Sequence, residues 1–176
     1  MSARGAKSCA LLDAANKVCF TLGSREEPTS TPFGATVFGD EPNTRKTIEF
    51  NLSPEQEEEF AKFDRWSVTY LSMNSQRLFK KEMSEEQIRE NYKSPLTKKG
   101  DYGAHLRCKL NTIGRGAVRC WDTQSMRIDI PEDLRYVEIT PRITISHLWV
   151  MSKEFGWVFQ ATDLMLCESE QICPFE

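Results

Sequence analysis

Val137-Glu138-Ile139-Thr140-Pro141-Arg142-Ile143-Thr144-Ile145 puts Val137, Ile139, Ile143 and Ile145 on one parity and Glu138, Thr140, Arg142 and Thr144 on the other. Successive side chains of a strand point to opposite faces, so the stretch predicts a β-strand with one buried and one solvated side. The same period recurs upstream. Met126, Ile128 and Ile130 alternate before the break at Pro131-Glu132-Asp133, and Ala117–Trp121 turns Val118 and Cys120 inward. Gly114-Arg115-Gly116 is a turn signal, and His105–Asn111 sets Leu106, Cys108 and Leu110 on one face. Downstream, Lys153-Glu154-Phe155-Gly156 predicts a turn and Trp157–Cys167 a long final strand.

Nearer the N-terminus, Lys17–Leu22, Ala35–Phe38 and Thr47–Leu52 read as short strands. They are separated by a mobile Ser/Thr/Pro/Glu loop, Gly23–Pro32, and a turn at Gly39-Asp40-Glu41-Pro42-Asn43. Two helices interrupt the strands. Ser53-Pro54-Glu55-Gln56 combines an N-cap serine, a first-turn proline and a capping-box glutamine, and Phe60, Phe63, Ser67, Tyr70 and Leu71 follow at helical spacing to about Ser72. Ser84-Glu85-Glu86-Gln87 repeats the box and opens a shorter helix toward Asn91. Short strands around two helices give an α+β chain built on a barrel or a sandwich. Residues 1–16 read as a flexible N-terminal arm, 17–167 as one domain with a helical insertion at about 53–91, and 168–176 as an acidic C-terminal tail.

The core parity fixes the exposed set. With Leu106, Cys108 and Leu110 inside, His105, Arg107 and Lys109 face out. By the same rule Arg119 and Trp121 face out opposite Val118 and Cys120, Arg127 opposite Met126 and Ile128, and Arg142 on the next strand. Adjacent strands would then share a basic face containing one indole. Cations track phosphates and an aromatic plate stacks unpaired bases, so this pairing of residue types suits single-stranded nucleic acid.

The charge distribution agrees. The net charge is −3, but residues 93–127 carry eight basic groups (Lys93, Lys98, Lys99, Arg107, Lys109, Arg115, Arg119, Arg127) against Asp101 and Asp122, whereas residues 128–176 carry three against nine acidic ones. Trp149, Phe155 and Trp157 are expected to pack in the core, as is His147. The six cysteines form no Cys-x-x-Cys and only two histidines accompany them, so reduced thiols are expected and no metal site. There is no Gly-rich phosphate loop, His-Glu-x-x-His or Gly-x-Ser-x-Gly, and Glu55–Glu59 reads as a solvated helix start. His105 and Cys108 fall on opposite faces, which separates a base from its nucleophile. The chain is expected to be non-enzymatic and without cofactor. No apolar run reaches the ~18 residues of a membrane span, and no signal-peptide core is present, so it is expected inside the cell.

The order of features resembles a known family. Phe63-Asp64-Arg65-Trp66, Phe79-Lys80-Lys81, Asn91-Tyr92-Lys93-Ser94-Pro95-Leu96, Lys98-Lys99-Gly100-Asp101-Tyr102, Leu106–Leu110, Trp121-Asp122, Glu138-Ile139-Thr140-Pro141 and Phe155-Gly156-Trp157-Val158-Phe159-Gln160-Ala161-Thr162-Asp163-Leu164 occur in sequence. This looks like the OB-fold single-stranded DNA-binding proteins of large eukaryotic DNA viruses, distantly similar to phage replication proteins of that kind. The resemblance implies an OB-like β-barrel over residues 17–167 that coats displaced strands in replication, recombination or repair, in the nucleus or at a viral replication site. It places DNA on positions such as Lys93, Lys98, Lys99, Arg107, Lys109, Arg119 and Trp121, to which the charge and parity readings add Arg115, Arg127 and Arg142. It also implies that replication or repair proteins dock on the tail through Glu168, Glu170, Ile172, Pro174 and Phe175. Self-association, an RNA-binding role on the same barrel, and a protein–protein adaptor or virion structural role stay open as alternatives.

Overall fold

The computed structural model describes residues 7–9, 18–37, 45–99 and 102–167. In chain order the strands are β1 (Lys7–Cys9), β2 (Cys19–Thr21), β3 (Thr29–Ser30), β4 (Ala35–Val37) and β5 (Arg45–Asn51). Helices α1 (Pro54–Met73), α2 (Ser75–Phe79) and α3 (Glu85–Asn91) follow. Strands β6 (Tyr92–Lys93), β7 (Leu96–Lys99), β8 (Tyr102–Asn111), β9 (Arg119–Trp121), β10 (Arg127–Ile128), β11 (Glu138–Met151) and β12 (Glu154–Leu166) complete the chain. The fold is α+β, mostly sheet with few helices. No described helix is long and apolar enough to cross a membrane.

The strands pair in the order β1-β11-β12-β8-β5-β4, and this order does not close on itself among the described residues. One edge of β11 takes three short partners in succession: β3 at Glu138 and Ile139, β2 at Arg142–Thr144, and β1 at Leu148–Val150. Both β6 and β9 join β12 in parallel. Lys7–Cys9, in the stretch expected to be a loose arm, is therefore a strand. The expected mobile loop Gly23–Pro32 also carries one. Thr29 and Thr31 there are buried, with the Thr29 hydroxyl donating to the Asn51 carbonyl and the Thr31 hydroxyl to the Leu134 carbonyl.

The chain divides into two compact units. The first holds β1, Leu52–Leu106 and Ile145–Phe159. Both expected capping boxes start its longer helices. Ser53 Oγ accepts from the Gln56 N–H at 3.2 Å while Gln56 Oε1 accepts from the Ser53 N–H at 2.9 Å, and Ser84 with Gln87 repeats the exchange. A third, five-residue helix, α2, lies between them, so the insertion has three helices rather than two. Its core combines Val68, Leu71 and Ile88 with Leu148, Phe155, Trp157 and Phe159. Trp157 donates its indole N–H to Ser67 Oγ at 2.9 Å, which satisfies a polar atom that burial would otherwise strand.

The second unit holds Val18–Asn51, Arg107–Thr144 and the chain from Gln160. Leu22, Ile48, Phe50, Cys108, Leu110, Val118, Cys120, Leu134, Ile139, Ile143 and Leu164 form its core. Burial raises the Cys120 thiol to about 11 and lifts Cys108 well above the usual range, so both are protonated packing groups.

The alternation holds along β11 through Ile139 and Ile143 and then breaks. Thr144 is buried beside Ile143, Ile145 is only half-buried, and Leu148 carries the core afterwards. The expected turn at Lys153–Gly156 sits earlier, at Ser152 (φ 57°) and Lys153, while Phe155 and Gly156 are buried inside β12.

Candidate nucleic-acid interface

Two short strands of the second unit assemble the site. After Trp121, the Asp122 carboxylate accepts the backbone N–H of Gln124 (2.9 Å) and of Met126 (2.8 Å), and Ser125 takes φ 63°. This Asx-type closure sets the β9–β10 hairpin. It also overturns the inward placement of Met126: the residue lies in the turn, 63% exposed, and β10 starts only at Arg127.

The register puts Arg127 directly opposite Trp121. Directly opposed residues share a face, as do residues two apart in one strand, so Arg119, Trp121 and Arg127 lie on one side. On the other edge of β9, Asp163 of β12 stands opposite Arg119. Its carboxylate gathers the group. Arg119 reaches it through Nε (2.7 Å) and NH2 (2.9 Å), the Trp121 indole N–H donates at 3.0 Å, and the Thr162 hydroxyl donates at 3.0 Å. The Arg119 guanidinium carbon lies 5.8 Å from the Trp121 ring centre, within cation–π range. Burial pushes the Asp163 carboxyl up. The Arg119, Trp121 and Thr162 hydrogen bonds and the Arg119 charge outweigh it and hold the group below its ordinary value.

Trp121 is therefore half-buried rather than fully outward, tethered at its N–H with part of the ring at the surface. Arg142 is exposed on β11, and its carbonyl accepts from the Thr162 hydroxyl at 3.3 Å. Arg115 is exposed in the loop that Gly114 turns with φ 78°, and Lys109 is half-buried on β8. No ion pair joins Lys109, Arg115, Arg127 or Arg142 to any described residue. Arg107 is exposed as expected, but Glu49, only 7% exposed, accepts from it at 3.1 Å.

His105 departs from the expectation outright. Ala104, His105 and Leu106 are all buried, so this end of β8 is covered on both faces and parity cannot turn His105 to solvent. Lys93 and Lys98 belong to the first unit, where each pairs with a carboxylate: Lys93 with Glu154 at 2.9 Å and Lys98 with Glu57. Lys99 ends β7, and nothing is described of its side chain. Glu168, Glu170, Ile172, Pro174 and Phe175 lie outside the described residues, as do Gly39–Asn43. Glu49 and Asp163 are the site residues that parity overlooked. The available signal was a carboxylate in the middle of an apolar strand, which calls for a cationic partner without naming it. Among the described residues no group of His, Cys, Asp and Glu is placed to hold a metal.

No family model and no curated protein matches the sequence. Among solved structures, the chain is similar to the crystal structure of gp2.5, a single-stranded DNA binding protein encoded by bacteriophage T7. The TM-score is 0.54 at 13% sequence identity, over 89% of this chain and 90% of that one. At that identity the likeness is one of fold, and it extends across both units of the chain.

Proposed function

We propose that this chain is a non-enzymatic protein that binds single-stranded DNA with little sequence preference, on the face of the second unit that carries Arg119, Trp121 and Arg127. The observation that carries the reading is the Arg127–Trp121 cross-strand pair with Arg119 beside it. It combines a tethered aromatic plate with cations on one side of adjacent strands, which is what an unpaired strand needs. The fold shared with a phage single-stranded DNA binding protein supports it. On this reading the strands form an OB-like barrel, and the protein acts inside the cell in replication, recombination or repair. An origin among large DNA viruses of eukaryotes belongs to the same proposal, as does docking of replication or repair proteins on residues 168–176.

The test is quenching of tryptophan fluorescence by oligo-dT at several salt concentrations. Trp121→Ala should cost about 1–3 kcal/mol of binding, the worth of one stacked base, and Arg119→Glu should weaken binding further at low salt than at high salt. Equal affinity for duplex and single strand, or unchanged affinity in Trp121→Ala, would sink the proposal. Competition with an RNA oligomer of the same length decides between DNA and RNA, since no 2′-hydroxyl reader is evident in the set.

A further inference from the structure

The first unit holds a groove of about 680 Å³ whose chemistry differs from that of the Arg119–Trp121 face. Its floor is apolar. Leu78, Phe79 and Met83 from the helical insertion line it together with Phe155, and the Phe79 and Phe155 rings pack at 4.7 Å and 32°. Its rim is cationic. Lys80, Lys81 and Lys153 are all exposed, and none forms an ion pair with a described residue. Among the described residues Glu90 is the one acidic lining residue beside them. Glu154, next to Lys153, is already engaged by Lys93.

Two left-handed turns set the lysines there. Lys80 closes α2 with φ 60°, and Ser152, just before Lys153, has φ 57°. Glycine is the relaxed choice at a left-handed helix end, so a lysine held in that conformation is strain of the kind found at functional surfaces.

We propose that this groove docks an acidic peptide segment of a partner protein, with one large apolar side chain of that segment seated on the floor. Charge complementarity selects the acid, because three ammonium groups that pair with no described carboxylate line the opening. The floor selects the apolar anchor. Phe155 is 2% exposed and the Phe79 ring packs against it at 4.7 Å, so these two rings are engaged with each other. Leu78 and the adaptable Met83 instead suit an inserted side chain.

Fluorescence anisotropy on the full chain tests this with a labelled peptide of Asp and Glu residues around a single Phe, and a control in which Ser replaces that Phe. The Phe peptide should bind saturably, and the control at least roughly tenfold more weakly, as for loss of an anchor residue. Lys80→Glu combined with Lys153→Glu should abolish the difference. Lys80→Gly, which relaxes the backbone, should weaken the peptide several-fold without lowering the melting temperature. Arg119→Glu should leave the peptide affinity unchanged, and oligo-dT should not displace the peptide. No saturation at millimolar peptide, or equal binding of both peptides, would overturn the proposal. So would displacement by oligo-dT with matching loss of oligo-dT affinity in the lysine variants, which would make the groove a nucleic-acid site.

Discussion

Asp163 sits between two residues that a single strand would meet, and its chemistry sets what those residues can do. It is 13% exposed, its partner Arg119 is 48% exposed, and its oxygens also take the Trp121 indole N–H and the Thr162 hydroxyl. In the free protein the aspartate both aims the ring and neutralises the arginine. Asp163→Asn keeps the shape and removes the charge. Bonds to charged groups are worth about 1.5–3 kcal/mol; discounted for the solvent around Arg119, the variant should lose about 1–2 kcal/mol in urea denaturation. The pH dependence has a definite sign. The carboxyl titrates below its ordinary 3.8 in the folded chain, so its contribution is present above that value and is lost as pH falls through it toward the folded value. The stability gap between wild type and Asp163→Asn should hold from neutral pH to about 5 and close at lower pH. A gap that widens on acidification would mean the carboxylate is not the group that Arg119 and Trp121 bind.

At the scale of elements, Gly156 shows how tightly β12 meets its neighbours. It pairs with Lys93 of β6, and a Cβ there would lie 2.5 Å from the Lys93 carbonyl oxygen and 3.0 Å from the Trp149 ring nitrogen. Backbone cannot yield as a long side chain can. Gly156→Ala should therefore force β6 away from β12 and cost about 1–3 kcal/mol, the usual toll of overpacking, read as a lower denaturation midpoint with unchanged slope. A neutral result would mean β6 is not held against β12 as described.

Elements with a period or a cap were readable from residues alone. Both Ser-x-x-Gln boxes begin helices, and Ile139 and Ile143 are buried as alternation requires. Elements too short to hold a period were not. The strands β3 and β6 have two residues each and exist because a long strand offers them an edge, and α2 is a single short helix before Lys80. The change of core parity at Thr144 was hidden because apolar residues continue on both sides of it. His105 was misplaced for a related reason: parity assumes one wet face, and that end of β8 has none. Parity alone turned Arg119 and Arg127 outward, whereas the register that sets Arg127 opposite Trp121 and the pairing of Arg119 with Asp163, residues 44 apart, need the fold.

Across the whole molecule, a net charge of −3 would repel a polyanion unless cations are sorted onto one surface and left without acidic partners. In the second unit Lys109, Arg115, Arg127 and Arg142 form no ion pair with a described residue, whereas Arg107 and Arg119 are each held by a carboxylate. The two held arginines should behave differently on binding. Glu49 is 7% exposed, and a buried carboxylate that loses a charge-assisted bond is penalised heavily, so Arg107 should stay in place. Asp163 retains the Trp121 and Thr162 donors when its arginine leaves, so Arg119 is free to exchange its carboxylate for a phosphate. Each cation bound to a single strand contributes about 0.7 to the salt slope, so four to five cations give a log–log slope of roughly −3 to −3.5 for oligo-dT. Arg119→Gln should flatten that slope by about 0.7 with little loss of stability, and Arg107→Gln should lower stability while leaving the slope unchanged. Asp163→Asn should leave the slope as it is and raise affinity at low salt, because Arg119 no longer has to break an ion pair first. A slope near zero would remove the electrostatic basis for binding on this face. An Arg107 variant that flattens the slope as much as the Arg119 variant would show that Glu49 does not hold its partner when phosphate competes.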